Sequence, residues 1–319
     1  MTPPAGLRAP AMLNRAPALM TPDVKRPMTE ASMNDLELFG AYSPTGRVAK
    51  ILAMTRRCDA GWLGKRKAFF LRALAVRALR GRPLDVESLG AKMRLYPYNN
   101  VCEKRILFTP QYFDPEERAL LASRLRDDFT FIDIGANIGG YALSVAALAG
   151  PRARILAIEP QPEIFERLAY NMQQNPFGNM KAIACAIADK DGEIILFVDR
   201  NNRGETSMRI VTPDARGGQI TAPAKTLLAL CLEEKYGHLD AIKLDVEGAE
   251  DLILEPFYRN APEHLWPRLL LLEFSHNRWA TDLGALLKAR GYAEVLRTKG
   301  NVAYERTGPG VGPEVGLSV

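Results

Sequence analysis

The sequence predicts an α/β protein built on a mostly parallel β-sheet, and three observations support that fold. An apolar run, Phe129–Ile134, is followed by a glycine-rich turn and by a helical stretch that begins at Tyr141. Strand, glycine turn and helix, in that order, form the first unit of a nucleotide-binding α/β sheet. A second apolar run ends at an acid, Glu159, and strands and helices alternate from there onward, which favours parallel pairing.

Two acidic residues make this first unit more specific. Asp133 lies inside the first strand, just before the turn, where a carboxylate would repel a pyrophosphate but suits a cationic or amine-bearing ligand. Glu159 follows Gly135 by 24 residues, at the position where an acid accepts hydrogen bonds from ribose hydroxyls. The glycines of the turn are expected to let a ligand approach the backbone.

Composition excludes several classes of protein. The chain has 319 residues, 47% of them apolar, and no run approaches the ~18 apolar residues that span a bilayer. The N-terminus has no continuous apolar core and does not predict a signal peptide. Four cysteines lie far apart without a C-x-x-C pair, which argues against zinc and disulfides and fits a reducing cytoplasm.

The chain divides into five predicted segments. Residues 1–33 are rich in Pro, Ala and Met and are expected to be disordered. Residues 34–83 form a basic helical extension, and residues 84–127 a small α+β subdomain that leads into the main α/β domain, 128–306. Residues 307–319, rich in Gly and Pro, form a flexible tail.

The extension and subdomain carry predicted elements of both kinds. Asp114 is expected to cap the last helix before the core, with Pro115 in its first turn. The predicted elements are a basic helix Lys65–Arg80, strands Leu84–Leu89, Lys92–Tyr96 and Arg105–Phe108, and a helix that ends at Leu125.

In the main domain the pattern predicts five sheet strands and a closing antiparallel pair. An insertion with two further strands, Glu193–Val198 and Gln219–Pro223, interrupts the alternation. After the second strand, Ile155–Glu159, the predicted elements are helix Glu163–Gln173, strand Met180–Ala184, helix Leu227–Lys235, strands Ala241–Val246 and Leu269–Phe274, helix Trp279–Arg290, and strands Tyr292–Arg297 and Val302–Glu305.

Charge is distributed unevenly along the chain. Residues 1–127 contain 22 basic and 12 acidic side chains, a balance of +10, whereas the whole chain carries only +5. On a helical wheel of Lys65–Arg80 the basic side chains cluster opposite Leu71, Leu74, Ala75 and Ala78. The basic side consists of Lys65, Arg66, Arg72, Arg77 and Arg80. Two interpretations stay open: a solvated surface, or contact with an anionic partner such as the inner face of a membrane, nucleic acid or an acidic glycan.

Acids also mark the ends of the fourth and fifth strands. Asp245 and Glu247 follow Lys243 at the end of the fourth strand, and Glu273 and His276 follow the fifth. Ligands of open α/β sheets bind at the carboxyl ends of the strands, so these side chains are candidates for catalysis. Asp245 and Glu247 could act as a base, or could hold a divalent metal with Glu273.

Four motifs, in this order, make the chain resemble the FkbM-type methyltransferases. They are Phe131-Ile-Asp-Ile-Gly-Ala-Asn-Ile-Gly139, Ile158-Glu-Pro160, Ala186-Ile-Ala-Asp189 and Lys243-Leu-Asp-Val-Glu-Gly-Ala-Glu250. The resemblance implies a Rossmann-like class I methyltransferase fold with a seven-stranded sheet. It also implies S-adenosylmethionine as methyl donor and transfer to oxygen, commonly a hydroxyl of a sugar, glycolipid or polyketide-like acceptor.

The resemblance also assigns roles to residues. Asp133, Gly135, Asn137 and Gly139 would hold the methionine end of the cofactor and Glu159 its ribose, while Asp245 and Glu247 would lie at the reaction centre. Ala136 and Ala186, inside the same motifs, complete the predicted cofactor site.

Two places depart from the family pattern. Thr226-Leu-Leu-Ala229 lacks the two acids of Thr-Leu-Asp-Asp, and Glu273-Phe-Ser-His276 has one residue more than Glu-x-His.

Three other functions compete with this interpretation. A dinucleotide-dependent oxidoreductase is disfavoured because the turn lacks G-x-G-x-x-G spacing. A nucleic-acid N-methyltransferase would suit the basic N-terminal half, but such enzymes usually carry Asn/Asp-Pro-Pro-Tyr/Phe where this chain has Asp245-Val-Glu-Gly. A binding protein without catalysis is disfavoured by motifs at every strand end. The sequence does not determine the oligomeric state.

Overall fold

The fold is described from a computed structural model, which covers residues 37–98, 100–198, 206–207, 218–274 and 279–307. Its centre is a seven-stranded, mostly parallel sheet, which confirms the predicted fold class. The predicted disordered segment 1–33, most of the tail and His276 lie outside the described residues. Within the described ranges, no helix is both long enough and apolar enough to cross a membrane.

The described helices and strands follow each other in a regular alternation after residue 130. In chain order they are α1 (Gly46–Arg56), α2 (Trp62–Leu79), β1 (Leu84–Ser88), β2 (Ala91–Leu95), α3 (Val101–Phe108), α4 (Pro115–Ser123), β3 (Thr130–Ile134), α5 (Gly140–Leu148), β4 (Arg154–Ile158), α6 (Pro162–Gln173), β5 (Met180–Ile183), β6 (Ala186–Ala188), β7 (Gly192–Val198), β8 (Thr206–Ser207), β9 (Gly218–Thr226), α7 (Leu227–Glu233), β10 (Ala241–Leu244), α8 (Glu250–Asn260), β11 (Leu269–Glu273), α9 (Leu283–Lys288), β12 (Tyr292–Arg297) and β13 (Asn301–Arg306).

The large sheet has the strand order β12-β13-β11-β10-β3-β4-β5. Strands β11, β10, β3, β4 and β5 are parallel, whereas β13 runs antiparallel to both of its neighbours, β11 and the edge strand β12. In the register of β3 and β10, Asp133 lies opposite Lys243. The carboxyl ends of β3, β4, β10 and β11 therefore meet along one edge, where parallel sheets bind ligands.

Two hydrophobic cores cover the two faces of this sheet, because neighbouring residues of a strand point to opposite faces. Phe131 and Ala157 face a core shared with α1, α2, α3, α5 and α6. Ile132 and Ile158 face a second core, shared with α7, α8 and α9. The basic extension and the small subdomain thus pack into the first core of the main domain.

The insertion after β5 forms its own four-stranded sheet, with the order β6-β9-β7-β8. Strands β7 and β9 pair antiparallel and include the two strands expected there. The structure adds β6, which pairs parallel with β9 at Ala186 and Ala224. Ala186 is thereby fixed beside the carboxyl end of the large sheet.

Two predictions about local structure were wrong. Arg105–Phe108 belongs to helix α3 instead of a strand, because the side chain of Asn100 accepts the N–H of Glu103 and caps a helix there. Asp114 stands at the N-cap position of α4 with Pro115 in the first turn, as predicted, but its side chain makes no capping bond; its carboxylate accepts hydrogen bonds from Arg105 and Tyr141.

The second correction concerns a helix near the C-terminus. Residues 279–282 of the expected helix Trp279–Arg290 are not helical, and α9 begins after Asp282, whose side chain accepts the N–H of Ala285 at 3.0 Å. An N-cap aspartate fixes a helix start at the following residue.

Candidate active site

The turn after β3 is held rigidly by backbone hydrogen bonds. The N–H groups of Gly135 and Ala136 both donate to the carbonyl of Ile158, at 3.0 and 2.9 Å. Gly135 has φ +77°, and a Cβ built on it would lie 2.0 Å from the carbonyl oxygen of Asp245. Glycine is therefore required here by the close approach of the chain after β10, a reason that the sequence did not reveal.

Asp133 is buried at the carboxyl end of β3, with 1% of its surface exposed. Its Oδ2 accepts the N–H of Ala142 at 3.0 Å and so satisfies one free donor in the first turn of α5. Its Oδ1 is buried and has no hydrogen-bond partner among the described residues. Burial raises the pKa of Asp133 to about 6, against the opposing effect of Lys243.

Glu159 lies directly after β4 and is also buried. Its two carboxylate oxygens accept the N–H groups of Asn137 and Gln161, each at 2.9 Å. Burial raises the pKa of Glu159 to about 7, although these two hydrogen bonds act in the opposite direction. Each oxygen keeps a second lone pair for a donor on a ligand.

Asn137 connects the turn to the small subdomain. Its φ is +52°, and its side-chain oxygen accepts the N–H of Ile138 at 2.9 Å and the side-chain amide of Asn100 at 2.7 Å. The same Asn100 caps α3, so the turn and the start of α3 are joined. The Asn137 side chain thus holds the turn to the start of α3, and the residue also lines the pocket.

Lys243 and Asp245 form an ion pair at the end of β10. Lys243 Nζ lies 2.7 Å from Asp245 Oδ2 and 4.8 Å from the centre of the Tyr141 ring. Burial alone would lower the pKa of Lys243, but the carboxylates of Asp245 and Asp133 outweigh it and raise that pKa above its ordinary value. Lys243 therefore keeps its positive charge between two acids.

Asp245, Glu247 and Glu273 converge from two neighbouring strand ends, each offering one carboxylate oxygen within 4.8 Å of the others. The predicted strand Ala241–Val246 is shorter in the structure: β10 ends at Leu244, and Glu247 lies in the following turn with φ +53°. The turn nevertheless brings the carboxylates together. Burial, followed by the neighbouring acids Asp245 and Glu247, raises the pKa of Glu273 well above its ordinary value.

One cavity unites the predicted residues. Its walls include most of the predicted cofactor and catalytic positions, namely Asp133, Gly135, Ala136, Asn137, Glu159, Ala186, Lys243, Asp245, Glu247 and Glu273. Gly139 does not line it; this residue precedes α5 with φ +95°, packed against Leu143 and Leu168. His276 falls outside the described residues.

The small subdomain supplies a wall that the sequence did not predict. Asn100, Cys102, Arg105 and Phe113 face the same cavity, next to Tyr141 of α5. A buried ion pair, Arg167 Nη1 to Glu103 Oε1 at 2.5 Å, fixes α3 against α6. The pattern Asn-x-x-Glu at residues 100–103 is a helix-start signal that could have placed α3 correctly.

The chemistry of the site fits a nucleoside ligand with an amino group. The unpartnered Oδ1 of Asp133 can accept hydrogen bonds from an ammonium group, and Glu159 can accept them from ribose hydroxyls. S-adenosylmethionine carries both groups. Most of the residues expected to hold it line the cavity, but Gly139 does not, and the Asn137 side chain is already engaged within the chain.

Comparison with known proteins agrees with this chemistry. The model of the FkbM methyltransferase domain matches residues 133–293. The methyltransferase sdnD of Sordaria araneosa is 27% identical over 145 residues, which are 44% of this chain and 54% of that protein. The chain thus spans about half the length of this relative.

Solved structures resemble the chain more distantly. The methyltransferase domain of METTL16 matches with 15% identity and a TM-score of 0.44, over 81% of this chain and 90% of that one. Precorrin-6y C5,15-methyltransferase from Geobacter metallireducens GS-15 matches with 17% identity and a TM-score of 0.32, over 60% and 88%.

The matched range 133–293 begins at the buried Asp133 and contains Glu159, Lys243, Asp245, Glu247 and Glu273. It covers half of the chain, including the end of β3 and the whole of β4, β10 and β11. The chain belongs to the FkbM methyltransferase family, a family of S-adenosylmethionine-dependent methyltransferases.

Proposed function

We propose that the protein is an O-methyltransferase that uses S-adenosylmethionine and acts on a hydroxyl of a sugar, glycolipid or secondary-metabolite acceptor. The observation that carries this proposal is the shared cavity. Asp133 and Glu159 lie on one side of it, and the three carboxylates Asp245, Glu247 and Glu273 lie on the other. The family membership supports the methyl donor; the carboxylates support oxygen as the atom that is methylated.

A hydroxyl must lose its proton when its oxygen becomes methylated, so a nearby base accelerates the transfer. When bound, S-adenosylmethionine supplies an activated methyl group on a positively charged sulfur. Asp245 would accept the proton of the acceptor hydroxyl, and Lys243 would hold that carboxylate in place through its hydrogen bond to Oδ2. Tyr141 and Phe113 would shield the reacting atoms from water.

Nitrogen as acceptor is disfavoured by the turn after β10. Asp245-Val-Glu-Gly stands where N-methyltransferases of nucleic acids usually present Asn/Asp-Pro-Pro-Tyr/Phe, whose carbonyl and side-chain oxygens bind an amino group. Among the described residues that line the cavity there is a single arginine, Arg105, which is partly exposed and already paired with Asp114. Nucleic acid as substrate would call for more phosphate contacts near the site.

The test uses S-adenosylmethionine labelled in its methyl group, with glycan, lipid and small-molecule fractions of a cell extract. We expect label in one fraction, and we expect hydriodic acid to release it as methyl iodide, a reaction typical of O-methyl ethers. Label that hydriodic acid does not release would show nitrogen or carbon as acceptor and overturn the O-directed proposal. The Asp245→Asn variant is the control for transfer by contaminants.

A divalent metal is the second candidate for activating the hydroxyl, because three carboxylate oxygens within 4.8 Å of one another can ligate one. The metal would be held by Asp245, Glu247 and Glu273 and would lower the pKa of the acceptor hydroxyl. Loss of labelling in EDTA, with recovery on adding Mg²⁺ or Mn²⁺, favours the metal. Full labelling in EDTA favours Asp245 as base.

A further inference from the structure

Helix α2 presents large apolar side chains to solvent. Trp62, Leu63, Phe69, Phe70 and Leu74 are exposed by 68%, 74%, 46%, 66% and 42%. Aromatic and aliphatic side chains grouped in this way mark an interaction surface, since scattered exposure is ordinary but clustering is not.

The buried side of α2 differs from the side expected from the helical wheel. Gly64, Ala68, Ala75 and Leu79 face the protein, whereas Leu74 is exposed. Small residues let α2 pack closely on its neighbours. The face with the larger apolar side chains is thereby left to solvent.

The exposed face has the pattern of a helix that lies on a membrane. Leu63, Phe70 and Leu74 are seven and four residues apart, so at about 3.6 residues per turn they form one stripe. Arg66 and Arg77 flank the stripe on one edge and Lys67 on the other. The helix has five basic residues and no acidic one.

The charged side chains around the stripe are almost all basic. Residues 46–80 contain ten Lys and Arg and a single acid, Asp59, which accepts the N–H of Gly61. The Arg66 guanidinium lies 4.9 Å from the Trp62 ring centre. Tryptophan and arginine side by side, beside an apolar stripe, are typical of the headgroup region of a bilayer.

We propose that α2 docks the protein on an anionic phospholipid surface, with Leu63, Phe70 and Leu74 below the headgroups and the flanking cations on the phosphates. A second copy of the chain fits less well, because two surfaces with this charge repel each other. Nucleic acid would bind the basic side chains but would leave the stripe of Leu63, Phe70 and Leu74 exposed to water. The proposal rests on α2 alone and is independent of the methyl acceptor.

Vesicle flotation of the full-length protein tests the proposal. The vesicles contain phosphatidylcholine alone, or phosphatidylcholine and phosphatidylglycerol in equal parts, at low and high salt. We expect flotation only with the anionic vesicles, reduced by salt because exposed charges are screened.

Two double variants remove the two parts of the surface separately. Leu63→Ser/Phe70→Ser removes the stripe and Arg66→Gln/Arg77→Gln the charge; we expect each to weaken vesicle binding on the order of tenfold or more. Matched controls change equally exposed residues elsewhere. These are Leu148→Ser/Leu232→Ser, at 66% and 62% exposure, and Arg152→Gln/Arg259→Gln, at 70% and 66%.

Tryptophan fluorescence adds a readout of depth. Brominated phosphatidylcholine, mixed into the anionic vesicles, should quench Trp62, and Trp62→Phe should remove most of that quenching. Flotation that neither double variant reduces would overturn the proposal, as would full-length protein that stays unbound. A dimer in solution that Phe70→Ser dissociates would show that a second copy covers the stripe instead.

Discussion

The two sides of the cavity are built differently. On the cofactor side, Asp133 and Glu159 are almost fully buried and hydrogen-bonded to the backbone of the same βαβ unit. On the opposite side, Asp245 is 39% exposed in its side chain, and its neighbours Glu247 and Glu273 come from separate strand ends. One side is rigid and local, and the other is partly open and assembled from distant parts of the chain.

Under the proposed function, this difference corresponds to two tasks, which are binding of the cofactor and binding of the acceptor. The cofactor is constant, so a rigid site with buried acids can be shaped to it in advance. An acceptor must enter, bind and leave, and this is compatible with half-exposed carboxylates. Substitutions on the two sides should therefore change different measured quantities: adenosylhomocysteine affinity on the cofactor side and the rate of methyl transfer on the acceptor side.

The largest effect is expected where the two sides touch. Gly135→Ala would place a methyl group 2.0 Å from the Asp245 carbonyl oxygen at a φ of +77°. We expect the free energy of unfolding to fall by about 2–5 kcal/mol, with loss of adenosylhomocysteine binding. Urea unfolding measures the change in the free energy of unfolding. Gly178→Ala, whose new methyl group meets nothing within 4 Å, is the control and should change stability little.

On the acceptor side, Asp245→Asn keeps the size of the side chain and removes its charge. If Asp245 is the base, methyl transfer should fall by ~10²-fold or more, because proton removal is slowed. Initial rates of label transfer at saturating cofactor measure this. Should the double variant Asp245→Asn/Glu247→Gln retain full turnover, catalysis would have to be reassigned to Glu273 or His276.

The same division explains what the sequence could predict. The strand, turn and helix around Asp133 lie within a few residues, so pattern and residue type suffice to place them. The acids after β10 and β11 were also found, because parallel strands end at one edge. The wall formed by Asn100, Arg105 and Phe113 depends on packing between α3 and α6, which no local pattern contains. The close contact of Gly135 with Asp245 is likewise long-range.

The buried acids predict opposite pH effects on folding and on ligand binding. The pKa values of Asp133 and Glu159 in the folded protein, about 6 and about 7, lie above their ordinary values of 3.8 and 4.5. Their contribution to the stability of the ligand-free protein is therefore complete below about pH 4 and is lost as the pH rises through 6 and 7. The unfolding temperature without ligand should decline across this window.

Adenosylhomocysteine should bind better over the same window, because the ionised carboxylates accept its hydrogen bonds. Its dissociation constant should rise roughly tenfold from pH 7 to pH 6. Calorimetry at several pH values measures the dissociation constant. In Glu159→Gln, the pH at which the dissociation constant changes should shift toward the lower pKa of Asp133. A dissociation constant that does not change with pH would contradict this role for the two acids.

A smaller effect is expected from Asn100, which joins the turn after β3 to helix α3. Asn100→Ala removes the cap of α3 and the hydrogen bond to Asn137, and should cost about 1 kcal/mol of stability. Asp282→Ala removes a comparable cap from α9, far from the cavity. Both variants should lose stability in thermal unfolding, but only Asn100→Ala should also weaken adenosylhomocysteine binding.

Calorimetric titration of adenosylhomocysteine into wild type, Glu159→Ala and Asp245→Asn tests the central claim most directly. We predict binding to wild type, a loss of ~1–3 kcal/mol in Glu159→Ala through one unmade polar pair, and unchanged binding in Asp245→Asn. Folded wild-type protein that does not bind adenosylhomocysteine would contradict the account. So would an Asp245→Asn variant that loses as much affinity as Glu159→Ala, because the cavity would then have no separate cofactor side.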